Sequence, residues 1–530
     1  MAPFAGVRRG RLSSGAAAAA TVLAFGPAAR AVTVAQGAPG NANPAPAAII
    51  ADPREAQIEK LEAQVQALAA EVHELKAARD AEAMRISSPQ KPDPPLQTLD
   101  SEVKVQSRSP PEVGLTNARP QITSSDGRFR FALRAIGQFD AADYGVRPRT
   151  ASNDLASGTN IRRARLGFDA TAFRDWNFSV WGEFGGSGNE SAALSQAFVE
   201  YAGFDPFGWA EPIRLRAGAW ATPAGLEDAT ANTEALFLER PAIEEMIRGL
   251  DAGDAREGVA IFATGARWYF SGVLTGKTAG GGAGVYDQQA GFLVRGAVNL
   301  LHGGDYDVHL GGSLQGVAKP ADGAAGAASG YIVTLAQQPE LRVDANNVKL
   351  VGAGPIVARR EASLGAEGGA SLRNLYVAGE YFRVDVDRTA VGSTASPFNP
   401  HFSGWYVQGA WTVTGERHVW NASNGGFRGI FQPAHPLAPG SGTWGAWEIA
   451  VRYSVLDLND HAGAVGQPAP PGGLRGGVQR IVTIGLNWYP NPVVRLLLDY
   501  QHGDIQRLGA SGAQLGEVLN DWSMRAQFAF

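Results

Sequence analysis

The chain has 530 residues and a formal net charge of −5, which is too close to neutrality at this length to indicate nucleic-acid binding. It contains no cysteine, and this excludes disulfides, thiolate metal sites and cysteine nucleophiles. Glycine is abundant, at 67 residues, and no run of about 18 apolar residues occurs that could form a membrane-spanning helix.

The N-terminus has the pattern of an export signal. Arginines are concentrated at positions 8–11, an apolar stretch covers 16–25, and Ala29-Arg30-Ala31 provides a small-residue cleavage site. We therefore predict a signal peptide over residues 1–31. Export without a spanning helix leaves the periplasm, the outer membrane or the exterior as destinations.

A short coiled coil is predicted after a linker at 32–53 that is rich in Ala, Pro and Gly. Apolar residues then recur at alternating spacings of 3 and 4, namely Ile58, Leu61, Val65, Leu68, Val72 and Leu75. This seam predicts an oligomerisation helix over 54–86, although a single amphipathic helix lying on another surface fits the same pattern. Residues 87–124 are rich in Pro and Ser and predict a second, flexible linker.

From residue 125 to the end, apolar and polar residues alternate in segments that Gly, Asp, Asn and Pro separate. The last segment, 522–530, shows the pattern most clearly and predicts a strand with one apolar face and one polar face. Sixteen such segments of suitable length predict an all-β transmembrane antiparallel β-barrel over 125–530. A soluble β-sandwich is the alternative, but strands such as 128–141 are long for that fold.

An even strand count places both barrel ends on one side, which we assign to the periplasm. The connections on that side are then short, except for 414–443, whose length the pattern does not explain. The last strand is expected to seal against the first, which would place Arg525 near Arg130 or Arg134. Long connections such as 317–361 would lie outside.

The polar faces of the predicted strands carry an excess of arginine. A barrel of this size is too wide for side chains to fill, so these faces would line a water-filled pore. Rings of arginine favour anions, and the planar guanidinium suits carboxylate and phosphate oxygens. The alternative is that the arginines pair with inward carboxylates and stiffen the wall. The predicted pore-lining arginines are Arg130, Arg134, Arg162, Arg163, Arg165, Arg214, Arg216, Arg295, Arg452, Arg495 and Arg525.

The long connection 221–255 follows the fifth predicted strand and contains the apolar run Leu236-Phe237-Leu238. Such a loop is expected to fold into the lumen and to form the constriction. It is also acidic, and this argues against strong anion selectivity. The candidate constriction residues are Glu227, Asp228, Phe237, Glu239 and Arg240.

Several short motifs resemble the phosphate-selective porin O and P family of Gram-negative outer membranes. They include Arg162-Arg-Ala-Arg-Leu-Gly167, Phe198-Val-Glu-Tyr201, Phe237-Leu-Glu-Arg240 and Pro339-Glu-Leu-Arg-Val-Asp344. The resemblance implies a homotrimer of sixteen-stranded barrels, an inward third loop and an arginine-lined path for phosphate-like anions.

The resemblance also assigns roles to particular positions. Arg162 and Arg163 match the paired arginines of the family's path, although strand alternation would place Arg162 at the rim. Ala221 stands where phosphate-binding members carry a lysine, so a lysine cluster for phosphate is not expected.

The sequence therefore predicts a passive outer-membrane channel that favours small anions such as phosphate, with its N-terminal segment in the periplasm. A non-specific diffusion porin is one alternative, and a structural tether or adhesin that contacts peptidoglycan through the coiled coil is another. The His residues are scattered and no HExxH or GxSxG motif occurs, so an enzyme is not expected. No cofactor or metal is predicted, and the expected partners are membrane lipid and small anionic solutes.

Overall fold

The architecture is taken from a computed structural model. It describes residues 110–116, 118–150, 153–186, 193–252, 255–279, 287–321, 331–389, 398–430 and 432–530. The predicted signal peptide, first linker and coiled coil lie outside these residues. No helix within the described ranges has the length and apolar character needed to cross a membrane.

Sixteen antiparallel strands of the described chain form a closed barrel, which confirms the predicted fold class and strand number. Each strand pairs with its neighbours in the barrel, and the last pairs with the first. The barrel strands are β1 Arg130–Arg147, β2 Gly158–Ala172, β3 Trp176–Glu183, β4 Ala193–Phe204, β5 Ile213–Trp220, β6 Arg256–Gly265, β7 Trp268–Thr278, β8 Ala290–His302, β9 Tyr306–Lys319, β10 Val351–Leu372, β11 Leu375–Arg388, β12 His401–Thr412, β13 Ala446–Asp460, β14 Leu474–Tyr489, β15 Val494–Leu508 and β16 Gln514–Ala529.

The two faces of the strands differ as the alternation predicts. On β16, Trp522 and Met524 are exposed on the outside of the barrel, whereas Ser523 and Arg525 are buried on the inside. The same pattern holds along β1, where Phe139 is exposed and Asp140 is buried. The outer face is therefore suited to lipid, and the polar inner face surrounds the lumen.

The predicted linker 87–124 ends in regular structure rather than in flexible chain. Glu112–Thr116 and Arg119–Thr123 form a hairpin, and its second strand pairs with β1. This second strand pairs with β1 from Arg130 to Ala132. The pairing of β16 with β1 ends at Ile136 and does not reach these residues. The hairpin thus covers the part of the β1 edge that β16 is too short to reach.

The seam differs from the prediction in its register. Arg525 lies opposite Asp140, not beside Arg130 or Arg134. The difference arises because β1 continues to Arg147, beyond the predicted end at residue 141. The longer strand places a carboxylate opposite Arg525, so the seam carries an ion pair across its inner face.

The connection 221–255 contains short helices and contacts inward side chains on the opposite wall. Its helical segments are α1 Leu226–Ala229, α2 Ala242–Ile247 and a π-helical turn at Arg248–Ala252. A further strand, Tyr331–Gln337, extends the pairing of β10 beyond β9. The chain between that strand and β10 also turns inward, because Glu340 is bonded to inner residues of β13.

The connection between β12 and β13 explains the length of the predicted segment 414–443, which the sequence left unexplained. It forms a hairpin of Val419–Asn421 and Gly426–Arg428. Its residues bond to inward side chains such as Arg295 and His309, so the segment fills the lumen from the side opposite to the 221–255 loop. Its length is needed to reach the centre of the barrel.

We predict that the outer face of β14 lies against the middle of the bilayer at Ile484, between Val482 and Leu486. Ile484→Arg should lower the free energy of unfolding from lipid vesicles by about 2–4 kcal/mol, the cost of a charge at the bilayer midplane. Urea titration of vesicle-folded protein measures this value. Leu515→Arg, at the start of β16, is the matched control and should cost about 0–1 kcal/mol. Equal costs at the two positions would contradict the assignment.

Candidate functional site

Glu239, in the middle of the inward loop, is held by arginines from two wall strands. Arg162 donates to both carboxylate oxygens, with Nε–Oε1 at 2.7 Å and Nη2–Oε2 at 3.2 Å. Arg525 donates to Oε1 at 2.9 Å and at the same time binds both oxygens of Asp140 at 2.7 Å. All four side chains are buried. This network fixes the loop to the seam of the barrel.

Arg162 points into the barrel and not to the rim, contrary to the prediction from alternation. The ladder between β1 and β2 skips this residue, because Gln138 lies opposite Arg163 and Phe139 lies opposite Ile161. The skipped residue forms a β-bulge, which allows consecutive side chains to face the same way. Arg162 and Arg163 are both buried on the inner face.

Wall carboxylates bind the backbone of the loop at several further points. Glu380 of β11 accepts hydrogen bonds from the amides of Leu226 and Glu227, at 2.6 and 2.9 Å. Asp499 of β15 accepts one from the amide of Leu238 at 2.9 Å. Together these bonds satisfy loop amides that would otherwise be buried without partners.

A second inward segment supports the loop through Glu340. Its carboxylate accepts hydrogen bonds from Arg452 at 2.6 Å and from the amide of Ala242 at 2.9 Å. Arg452 also donates to the carbonyl of Glu239. The inward loop therefore lies between the wall and the segment that precedes β10.

The candidate constriction residues are used to hold the loop and do not face the open space. Glu227 accepts from Gln408, and the Phe237 ring lies 4.5 Å below the guanidinium of Arg452. Asp228 lies within ion-pair distance of Arg240 and Arg248. The acidity that the sequence assigned to the constriction is thus largely neutralised by buried arginines.

The segment between β12 and β13 meets the loop inside the lumen. Asn424 donates to the carbonyl of Ala229 at 2.7 Å, and Glu234 accepts from the amide of Gly429 at 3.0 Å. His309, which has no partner evident in the sequence, accepts from the indole N–H of Trp420 at 3.0 Å. Its Nδ1 is therefore the acceptor, and its Nε2 carries the proton toward Glu367 at 2.9 Å.

A chamber of about 150 Å³ remains on the side of the long connections, and we call it the long-loop chamber. Asn232 and Ala221 of the loop form part of its wall. Its charged lining within the described residues consists of Glu183, Glu245, Arg162, Arg163, Arg165, Arg248 and Arg342. Positive groups therefore outnumber negative ones.

A larger chamber of about 470 Å³ lies on the side of the short turns, and we call it the short-turn chamber. Thr233 of the loop and Asn424 of the lumen hairpin line it. Its charged side chains within the described part of the chain are Glu234, Arg119, Arg134, Arg428 and Arg495. Because Asn232 lines one chamber and Thr233 the other, this short stretch of loop separates them.

The predicted pore-lining arginines fall into two groups. Those that line a chamber are Arg134, Arg162, Arg163, Arg165 and Arg495. The others do not line either chamber and contact other parts of the barrel, and they are Arg130, Arg214, Arg216, Arg295, Arg452 and Arg525. Most arginines of the second group pair with inward carboxylates. This is the alternative that the sequence left open.

Several lining residues were not singled out from the sequence. Arg119 belongs to the predicted linker, and Arg428 belongs to a connection whose course the pattern did not reveal. Arg342 lies within one of the motifs that resemble the porin family, so its signal was present in the sequence. Asn232 and Thr233 carry no charge and no distinctive pattern.

The pKa values of two loop glutamates move in opposite directions. Burial alone would raise the pKa of Glu239, but Arg162, Arg163 and Arg525 outweigh it and hold that pKa well below its usual value. Burial, together with the nearby carboxylates of Glu380 and Asp228, raises the pKa of Glu244 well above its usual value. The Glu244 side chain is fully buried, and neither oxygen has a hydrogen-bond partner among the described residues.

The model of the family described as phosphate-selective porin O and P matches residues 134–530. An uncharacterised protein of Caulobacter vibrioides is 25% identical over 416 residues, which cover 75% of this chain and 72% of that protein. Porin O of Pseudomonas aeruginosa is 23% identical over 401 residues, covering 72% of this chain and 84% of that protein. In-vitro folded OmpT, an outer membrane protein of Vibrio cholerae, aligns with a TM-score of 0.44 at 11% identity, over 76% of this chain and 98% of that one.

Substitution by glutamine should disturb the loop at one of the two glutamates and leave it undisturbed at the other. Glu239→Gln removes the negative charge among three guanidiniums, and breaking such a buried network should cost the loop anchor about 3–5 kcal/mol. Single-channel recordings should then show larger current fluctuations as the loop moves. Glu244→Gln, the matched control on the same loop, replaces a carboxyl whose raised pKa favours the neutral form, and it should leave the current steady. The assignment would be wrong if Glu244→Gln alone produced the fluctuations.

The same residues predict how the loop anchor depends on pH. The stabilisation from Glu239 is present above its unfolded pKa of about 4.3 and is lost as the pH falls through its depressed folded pKa. The stabilisation from protonated Glu244 is present at low pH and is lost as the pH rises through its raised folded pKa. Current fluctuations recorded across pH should therefore increase at both extremes. Glu244→Gln should abolish the alkaline increase and keep the acid one, and loss of the acid increase in that variant would contradict this view.

Proposed function

Because this chain belongs to the phosphate-selective porin O and P family, we propose that it is a passive channel of the outer membrane that favours small anions. The family and the barrel fold indicate a channel rather than an enzyme. Solutes would pass from the long-loop chamber to the short-turn chamber, or in reverse, beside the stretch of loop at Asn232 and Thr233.

The excess of guanidinium groups in both chambers carries this proposal. In the long-loop chamber Arg165 is paired with Glu183 at 2.5 Å, whereas the nearest carboxylate of Arg163 is 4.0 Å away. In the short-turn chamber Arg134 and Arg119 share the single carboxylate of Asp169, at 2.6 and 3.7 Å. Each chamber therefore keeps positive charge that the wall does not neutralise.

The spacing of these charges supports passage rather than capture. A unit charge pair at about 4 Å and an effective dielectric near 20 is worth roughly 4 kcal/mol before desolvation. Arg119, Arg134, Arg163 and Arg165 already lie within ion-pair distance of carboxylates, so the contact of an anion with any of them would be weaker than an isolated pair. Weak sites in series allow an anion to enter and to leave.

The lining of the two chambers differs from the pattern of the phosphate-binding members of the family. Ala221 lines the long-loop chamber at the position where the family pattern has lysine. Within the described residues the lining of the two chambers contains arginine but no lysine. We propose a preference for anions in general, with phosphate as one of the solutes that pass. A channel that admits ions of both signs equally is the alternative.

The cellular location that we propose also rests on the family. The barrel would cross the outer membrane of a Gram-negative bacterium, with the segment before it in the periplasm. We propose that residues 54–86 form a short coiled coil that helps three barrels to associate. A pull-down on purified cell wall, with and without these residues, would test the separate role of a tether to peptidoglycan.

We predict that the channel prefers chloride to potassium and that Arg165→Gln reduces this preference. The substitution removes a cation and leaves Glu183 without its ion-pair partner, so the effect should be about two- to tenfold in the permeability ratio. Reversal potentials in a KCl gradient across a planar bilayer measure the ratio. Arg163→Gln should act in the same direction but less strongly, because it releases no carboxylate of the wall.

The control is Arg480→Gln, which removes an equal charge from the upper part of β14, where Arg480 lies 3.7 Å from Asp504. It should leave the permeability ratio unchanged. Cation preference in the unaltered protein would refute the anion preference. An unchanged ratio in both chamber variants would make these arginines wall supports only.

A further inference from the structure

We propose that the short-turn chamber binds small organic carboxylates with an apolar body, and that Arg495 holds the carboxylate. This inference rests on the proposed function, because it names a class of solute for the same path. It is carried by the unpaired edge of one buried guanidinium and by the apolar wall next to that edge.

Arg495 is 3% exposed and lines the chamber. Its Nη1 donates to the carbonyl of Thr233 at 3.2 Å, whereas its Nε and Nη2 have no hydrogen-bond partner among the described residues. No carboxylate of the described chain lies within ion-pair distance of it. A buried guanidinium with two unmet donors is costly, and both nitrogens are shielded from solvent, so an anion would satisfy them once the Arg495 side chain turns toward the chamber.

The same edge of other arginines in this barrel already binds carboxylates. Arg525 uses Nε and Nη2 to hold both oxygens of Asp140 at 2.7 Å. Arg295 uses Nε and Nη2 to hold Glu367 at 3.0 and 2.7 Å. Arg495 keeps this fork without a carboxylate from the wall, so, when turned toward the chamber, it would suit a carboxylate carried by a solute.

The wall on one side of Arg495 is apolar, and Gln527 of β16 lies opposite it on the other side. Its guanidinium lies 4.8 Å from the centroid of the Tyr489 ring, and Tyr489 packs against Ile430. Ile430, Phe427 and Val494 also line the chamber. A hydrated inorganic anion would gain nothing from this surface, whereas an aromatic or aliphatic body attached to a carboxylate would be partly removed from water.

The size of the chamber agrees with an organic solute. Its volume of about 470 Å³ falls within the range of about 300–1,000 Å³ that is usual for small-molecule sites. Arg134 and Arg119, which share one carboxylate, add positive charge at the same chamber. The chamber thus combines a charged fork, further positive charge and an apolar wall.

Calorimetric titration of the purified full-length protein with benzoate, acetate and inorganic phosphate tests this inference. Benzoate and acetate share the carboxylate, but only benzoate has an apolar body. Benzoate should bind at least about tenfold more tightly than either of the other anions. Equal affinity for benzoate and acetate would overturn the role of the apolar wall, and tighter binding of phosphate would overturn the class of solute.

Two variants separate the fork from the wall. Arg495→Lys keeps the charge but loses the paired donors, and should weaken benzoate binding about tenfold. Ile430→Thr should weaken the binding of benzoate and leave that of acetate unchanged. Arg383→Gln, at an exposed pair with Asp385, is the control and should change neither affinity. Benzoate affinity unaltered by Arg495→Lys would place the binding elsewhere.

Reversal potentials of the same preparations keep this inference distinct from the proposed function. Anion preference together with equal affinity for benzoate and acetate would refute the organic-carboxylate site alone. Cation preference would refute the anion channel, whereas tight benzoate binding that depends on Arg495 would still support the site.

Discussion

The contact of Glu239 with Arg162 and Arg525 is the interaction on which the inner architecture depends. It links the inward loop to β2 and to β16, and Arg525 continues the chain of charges to Asp140 on β1. A buried network of this kind contributes little net stability compared with apolar packing. Removal of one partner nevertheless strongly destabilises the folded structure, because it leaves a buried charge uncompensated. The effect of the network is therefore to hold the loop in one position rather than to make the barrel more stable.

That position divides the lumen. With the loop held against β11–β16, the hairpin between β12 and β13 packs below it, and space remains as two chambers along the arginine-bearing wall. Because of this arrangement, the arginines fall into two groups with different partners. Arg295, Arg452 and Arg525 are committed to carboxylates or loop carbonyls, whereas Arg163 and Arg495 have N–H groups without partners beside a chamber. The first group builds the scaffold, and we propose that the second acts on solutes.

The barrel could be predicted from the sequence because each strand meets two different solvents. Lipid and water impose a period of two that is visible in residues such as Trp522 and Ser523, and the strand count follows from that period. Features that depend on register could not be predicted in this way. A single skipped residue turned Arg162 inward, and a longer first strand placed Asp140 opposite Arg525. The lumen segments escaped detection because their contacts join residues far apart in the chain, as Trp420 and His309 do.

The acidic residues of the inward loop are a second case in which the sequence did not reveal where side chains point. Counting charges in the sequence suggested an acidic constriction, whereas Glu239 and Asp228 lie among buried guanidiniums and the open space is bordered by Asn232 and Thr233. Composition reports how many charges a segment carries, but not which of them face solvent.

The central claim is that anions occupy both chambers beside the guanidiniums that the wall leaves partly unneutralised. Anomalous diffraction from crystals soaked in rubidium bromide would test it most directly. Bromide peaks are expected near Arg163 in the long-loop chamber and near Arg495 in the short-turn chamber. Rubidium peaks in the chambers, with bromide absent from both, would contradict it.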